Sequence, residues 1–251
     1  MDKKTCLTWE LLSAWSGVVF VVTFTFTFGY LGHTLPQPFS PAASAQDLAQ
    51  LYVKHLWDLR LGWALSLVFI SLYMPWSAQI SMLMKEIEKH SRVLTWTQLI
   101  SGALTVYVVS WGMLCWGVAT YRPERSAEIT QMLNDIGWLS LETQWMITTV
   151  QMCAVAIVGL CDKRPNPTFP KWCCWLSIFC GWTFAPASLT FYFKSGPFAW
   201  DGLLGFYVPY AAWLVWALVL SYYMIKDVYR RRAALATIEQ GTQAGLSPTR
   251  I

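Results

Sequence analysis

The chain has 251 residues, of which 55% are hydrophobic and only 13% charged. That is too little charge to cover a soluble domain of this length, and too much continuous apolar sequence for one. The net charge of +4 is distributed between apolar runs, so it reads as a topology signal rather than a nucleic-acid footprint.

Apolar runs fill residues 11–32, 60–83, 96–119, 137–160, 172–193 and 203–225. A membrane-crossing helix needs about 20 mostly apolar residues, and each run is close to that length. The runs are continuous and not alternating, which argues against barrel strands. The expected fold is an all-α integral membrane protein, a bundle of six transmembrane helices within residues 1–232. A polar, disordered tail is expected over 233–251.

Lys3 and Lys4 precede the first run, and Ala43-Ser44-Ala45 resembles a signal-peptide cleavage site. The run is too long for a signal core and the site lies well past its end, so this segment is read as a span. In the loop that follows, Pro36, Pro38 and Pro41 extend the backbone. Ser44 then stands three residues before Asp47, a helix-capping spacing. Leu48, Leu51, Tyr52 and Leu56 recur at helical intervals, predicting an amphipathic helix over 45–58 lying on the outer membrane surface.

The basic residues give the orientation. With six spans, Lys3, Lys4, Lys85, Lys89, Arg92, Lys163, Arg164, Lys171, Lys226, Arg230, Arg231, Arg232 and Arg250 share one side. Only Lys54, Arg60, Arg122, Arg125 and Lys194 lie on the other. The positive-inside rule then places both termini in the cytoplasm, and the expected location is the cytoplasmic membrane of a bacterium. Arg230–Arg232 reads as a stop-transfer anchor touching anionic lipid. None of the seven cysteines falls in an outer loop, so they are expected to be packing residues and not disulfides or a zinc cluster.

Span four is the most polar. Glu142 is the only carboxylate well inside a span, and a charge there costs about 2.5–3.5 kcal/mol on insertion scales, so it should face the bundle interior. Asp135 lies seven residues earlier on the same nominal helix face, about 10 Å away. Trp138, Trp145 and Thr149 share that stripe, and Gln144, Thr148 and Gln151 form a second. The turn between spans five and six runs from Lys194 through Phe198 and Trp200 to Asp201, with Pro186 and Pro209 breaking the flanking helices. Broken backbone at membrane depth is tolerated where protein or a watery cavity satisfies it. Arg60 at the start of span two, or Lys194, is the natural counter-charge for the acids.

Sixteen tryptophans are present. Trp9, Trp57, Trp63, Trp96, Trp138, Trp172 and Trp200 fall near span ends, where the amphipathic ring suits the headgroup level. Trp111, Trp145, Trp182, Trp213 and Trp216 fall deeper and are candidates to line a pocket.

Several functions are argued down. None of the three histidines lies mid-span, which leaves no axial haem ligands and no histidine-rich di-iron centre. A mid-span lysine for a retinal Schiff base, a phosphate-binding loop, a C-x-x-C pair and an arginine ladder are all missing. His33, His55, Asp58 and Asp135 share the outer side but are scattered along the chain, so no metal site and no cofactor are expected.

The leading expectation is recognition, and transport, of a small, largely apolar molecule in an outward-opening cavity. Glu142 would be the polar anchor, with Asp135 beside it. Trp138, Trp145, Gln144, Thr149, Lys194, Phe198, Trp200, Asp201 and Arg60 would form the walls and rim. A second reading is a cofactor-independent isomerase or hydratase acting on a lipid- or terpenoid-like substrate, with Glu142 and Asp135 as acid and base. A third is an accessory subunit docking a larger membrane protein or a second copy through small residues such as Gly181 and Ala185. Membrane lipid is a partner in each.

Overall fold

The computed structural model describes residues 2–245, with side chains through 240. Among them every regular element is helical: α1 (Lys3–Phe24), α2 (Ala45–Lys54), α3 (Leu56–Phe69), α4 (Tyr73–Ile87), α5 (Val93–Tyr121), α6 (Ala127–Thr143), α7 (Met146–Cys161), α8 (Lys171–Trp182) and α9 (Val208–Gly245). These assemble into six helices long and apolar enough to cross a membrane: Lys3–Leu31, Leu56–Ile87, Val93–Tyr121, Ala127–Cys161, Lys171–Phe191 and Leu203–Gln240. The tail expected to begin at 233 continues α9 as far as Gly245; residues 246–251 lie outside the described residues.

α5 is the central element, packed against α3, α4, α6 and α7, while α9 closes the bundle against α1 and α8. Helices in an apolar solvent gain little from burying more apolar surface, so packing and polar contacts hold them together. The main polar contact is a chain of side chains across four spans. Tyr73 donates to Gln151 Oε1 at 2.8 Å and accepts from Trp213 Nε1 at 3.4 Å. Gln151 Nε2 and Gln98 Nε2 both donate to Ser77 Oγ, at 3.3 and 3.0 Å, and Ser81 donates to Gln98. The polar character of Gln151 in span four therefore belongs to this internal network.

The two ends of the chain meet at one end of the bundle. Lys4 pairs with Glu239 at 2.9 Å, and Arg231 pairs with Glu10 and, at 2.8 Å, with Asp227. Arg230 pairs with Asp227 and donates to Asn166 O, and Arg232 donates to Leu7 O and Thr8 Oγ1. The arginine run expected as a lipid anchor thus has protein partners. Its guanidinium forks fit the carboxylates and carbonyls of span one and the 161–171 loop.

At the same end Glu88 starts α5. Arg92, just before the helix, sits in the left-handed region (φ 60°) and supplies no side-chain cap. Glu88 instead accepts from the amides of Leu94 and Thr95 (3.2 and 2.9 Å) and from the Thr95 hydroxyl (2.9 Å). Burial alone would raise its pKa, but these hydrogen bonds outweigh burial and hold the carboxyl below its ordinary range. A depressed carboxyl contributes stability above its unfolded-state pKa and loses it as pH falls through the folded one. Glu88→Gln is expected to cost about 0.5–2 kcal/mol at neutral pH and nothing once both forms are neutral. Unfolding of both proteins in detergent from about pH 7 to about pH 3 checks this.

The first loop helix is shorter than expected. α2 ends at Lys54, and the chain turns at His55 (φ −107°, ψ 22°) into α3. Ser44 caps α2, accepting from Asp47 N at 3.1 Å and donating to its carboxylate at 2.7 Å. Leu48 and Tyr52 are buried, and Tyr52 donates to Asn134 Oδ1 at 2.9 Å, so α2 is fastened to α6.

Candidate functional site

Besides span two, which has a short 3-10 turn over Ile70–Leu72, four spans depart from α geometry. Span one becomes a π-helical stretch over Thr25–Leu31, and span six begins with another over Leu203–Tyr207. Span five tightens to a 3-10 helix over Ala185–Phe191, with Pro186 in its first turn. Span four is interrupted at Gln144-Trp145, between α6 and α7. The proline signal of the sequence is thus realised in spans five and six. The break in span four contains no proline.

Beside these irregular segments lies a partly open cavity of about 70 Å³. That is several times the space needed for one water. Its walls are Phe24 and Phe28 of span one, Thr105, Val108 and Val109 of α5, the Leu141–Thr148 region of span four, Phe184 of span five, and Phe206, Pro209, Tyr210 and Trp213 of span six. The rings support one another. Phe24 stacks on Phe28 at 5.1 Å, Phe206 on Tyr210 at 5.2 Å, and Trp213 meets Phe24 edge-on at 5.9 Å.

Most polar groups on this wall are already engaged. Thr105 and Thr148 share a hydroxyl hydrogen bond (3.1 Å), Gln144 donates to Ser140 O (2.9 Å), and Trp145 donates to Ser188 Oγ (2.6 Å). Glu142 differs. Its residue is 7% exposed, and its carboxyl has no hydrogen bond or ion pair with any described residue. Tyr210 OH and Thr25 Oγ1 face each other without a hydrogen bond of acceptable geometry. A buried polar group without a partner demands an explanation, because leaving it so costs about 1–3 kcal/mol, more if charged.

Of the residues singled out in the sequence, Glu142, Gln144 and Trp145 meet at this cavity, with Thr148 and Trp213. Asp135 does not. It lies half-buried in an open groove with Glu128, Gln131 and Phe191, within electrostatic reach of Lys194. Seven residues return a helix to within about 20° of the same face, but α6 buries the flank of Thr130, Asn134 and Trp138. Asp135 is on the open side of that flank, and Glu142 is buried among side chains of spans one, three, five and six. Trp138 is buried in a neighbouring cluster, stacked on Trp200 (6.1 Å) and edge-on to Phe206 (5.5 Å), and lines a separate space of about 10 Å³. Thr149 donates to Gly181 O at 2.7 Å and holds α7 to α8.

Arg60 is not a counter-charge. Its guanidinium donates to Thr120 O at 2.7 and 3.1 Å and to Tyr121 O at 3.3 Å, capping the C-terminus of α5 where free carbonyls favour a cation. Lys194 is exposed; Phe198 pairs with Phe193 at 5.7 Å, and Asp201 is half-buried in the turn. Trp200 is buried and donates to Phe39 O at 2.9 Å, so it is not an interfacial ring, and neither are buried Trp63 and Trp138. Trp9, Trp57, Trp96 and Trp172 are exposed as a membrane boundary requires. All seven cysteines are free. Gly181 meets Thr149 and Met152 inside the bundle, which removes it from an outer docking face.

The cavity aromatics Phe24, Phe28, Phe184, Phe206 and Tyr210 were not singled out in the sequence. One signal is legible: Thr23-Phe24-Thr25-Phe26-Thr27-Phe28 is a poor α-helical run inside a span, and the hydroxyls of Thr23 and Thr27 turn back on the helix carbonyls.

No protein family, curated protein or solved structure matches this chain.

Proposed function

We propose that the protein binds a small, largely apolar molecule carrying one hydrogen-bond donor or cationic nitrogen, and moves it across the membrane. The observation that carries this reading is the Glu142 carboxyl, buried without a partner on a cavity otherwise walled by aromatic rings. Such walls suit an apolar body and, through their ring faces, a cation. The carboxyl supplies the one directional contact that a mostly apolar pocket needs. Broken helices in four spans give the cavity segments that can shift without unravelling a whole span, which is what passage through the site requires. The cavity is taken to open away from the side carrying the chain ends, which the basic residues assign to the cytoplasm.

An acid–base enzyme with Asp135 as second group has less support, since Asp135 and Glu142 line different spaces. The test is native mass spectrometry of the protein gently purified from its own membrane. A stoichiometric small molecule with a donor or amine group is the expected result. An empty protein travelling with a large membrane partner would replace this reading with an accessory role.

A further inference from the structure

His33 and His55 are 22 residues apart and belong to different segments, yet the fold brings them into contact. The cause lies one helical turn along α3. Gly62 has no side chain where α3 meets the end of span one; a Cβ there would stand 2.8 Å from Gly32 N and Leu31 C and 2.9 Å from Thr27 O. This close approach puts Asp58, four residues earlier on the same face, beside the residue that follows Gly32. That residue, His33, is held in the left-handed region at φ 52°, one of only two non-glycine residues so placed among those described. The backbone cost of such a conformation is usually tied to a side chain that must point one way.

His55 sits at the turn between α2 and α3, and its ring centre is 4.1 Å from that of His33. Phe39 flanks both rings, at 6.4 and 6.5 Å. His33 Nε2 is 3.5 Å from Asp58 Oδ2, and one ligand atom from each of the three residues lies within 4.8 Å of the others. Four-coordinate zinc with ligands at about 2.0–2.1 Å separates neighbouring ligand atoms by about 3.3 Å. The His33–Asp58 distance is near that already. The remainder closes by side-chain rotation, since Asp58 is 60% exposed at its side chain.

We propose that His33, His55 and Asp58 bind a divalent transition-metal ion of the zinc class, leaving a fourth position for water. Two imidazoles and a carboxylate suit that class better than calcium or magnesium, which prefer all-oxygen sets. The ion would clamp the end of span one to the α2–α3 turn. Phe24 and Phe28 of the cavity lie on that same span, so the clamp would brace one wall of the cavity from outside it. In the sequence these residues share the outer side but are scattered, and only the fold brings three of them together; Asp135, the fourth, lies elsewhere.

The test uses the full chain in detergent, stripped with a chelator and titrated with Zn²⁺ alone by calorimetry. One ion per chain and a higher unfolding temperature are expected, and Co²⁺ should give the visible absorption of a four-coordinate nitrogen–oxygen site. Asp58→Asn and His55→Gln should each weaken binding by at least about 10-fold without lowering the unfolding temperature of the metal-free protein. His90→Gln, at the opposite end of the bundle, should leave binding unchanged. No saturable binding, or binding that persists in both site variants, overturns the proposal. If His55→Gln folds poorly, the exposed Asp58→Asn decides the matter alone.

Discussion

Glu142→Gln should leave the protein folded and remove its ligand. The carboxyl has no partner among the described residues, so the amide breaks no internal hydrogen bond. It also removes whatever part of the roughly 2.5–3.5 kcal/mol insertion cost of a charge the folded protein still bears. Stability in detergent should therefore hold or rise slightly. Binding should fall by about 2–5 kcal/mol, the range seen when one partner of a buried, charged hydrogen-bonded pair is removed. Thermal unfolding and ligand occupancy, measured on the same preparation, check both halves. Lost folding with the carboxyl replaced would make Glu142 a structural group and withdraw the cavity reading. Retained folding with undiminished occupancy would withdraw it too, because the anchor would then lie elsewhere.

The second large effect is expected at a glycine. Gly62→Ala places a methyl group against three backbone atoms of span one at 2.8–2.9 Å. Backbone cannot rotate away as a side chain can, so α3 or the π-helical stretch must move. Overpacking of this kind costs about 1–3 kcal/mol. Gly117→Ala in α5 is the matched control, since a Cβ there meets nothing within 4 Å. It should be neutral or stabilise by up to about 1 kcal/mol through helix propensity. Unfolding of both variants in one detergent gives the comparison; equal stability would show that span one and α3 are not tightly coupled. The same displacement carries Asp58 away from His33, so Gly62→Ala should also weaken Zn²⁺ binding.

Arg60, Asp135 and Trp138 show why the site was only partly legible. Arg60 and the acids share an outer side in sequence, but the free carbonyls at the end of α5 take the guanidinium. Asp135 and Glu142 have a helical spacing that predicts a shared face. Which part of that face is covered depends on what packs on it: Phe184, Phe206 and Tyr210 share a wall with Glu142, while Asp135 lines an open groove. Trp138 and Trp200 have the positions of boundary tryptophans, yet they stack on each other and Trp200 is tied to the Phe39 carbonyl of the first loop.

The sequence by itself determined the six apolar helices, because the length and continuity of apolar runs are local properties. It also singled out Glu142, since one acid amid apolar residues stands out wherever it points. Only the tertiary structure decided that this acid would be unpaired, that phenylalanines of span one and span six would wall its cavity, and that His33 would meet His55. Those outcomes depend on backbone approach at single positions such as Gly62 and on helix breaks such as Gln144-Trp145. Neither leaves a periodic trace, because contact between distant segments is set by the shape of both partners at once and not by the composition of either.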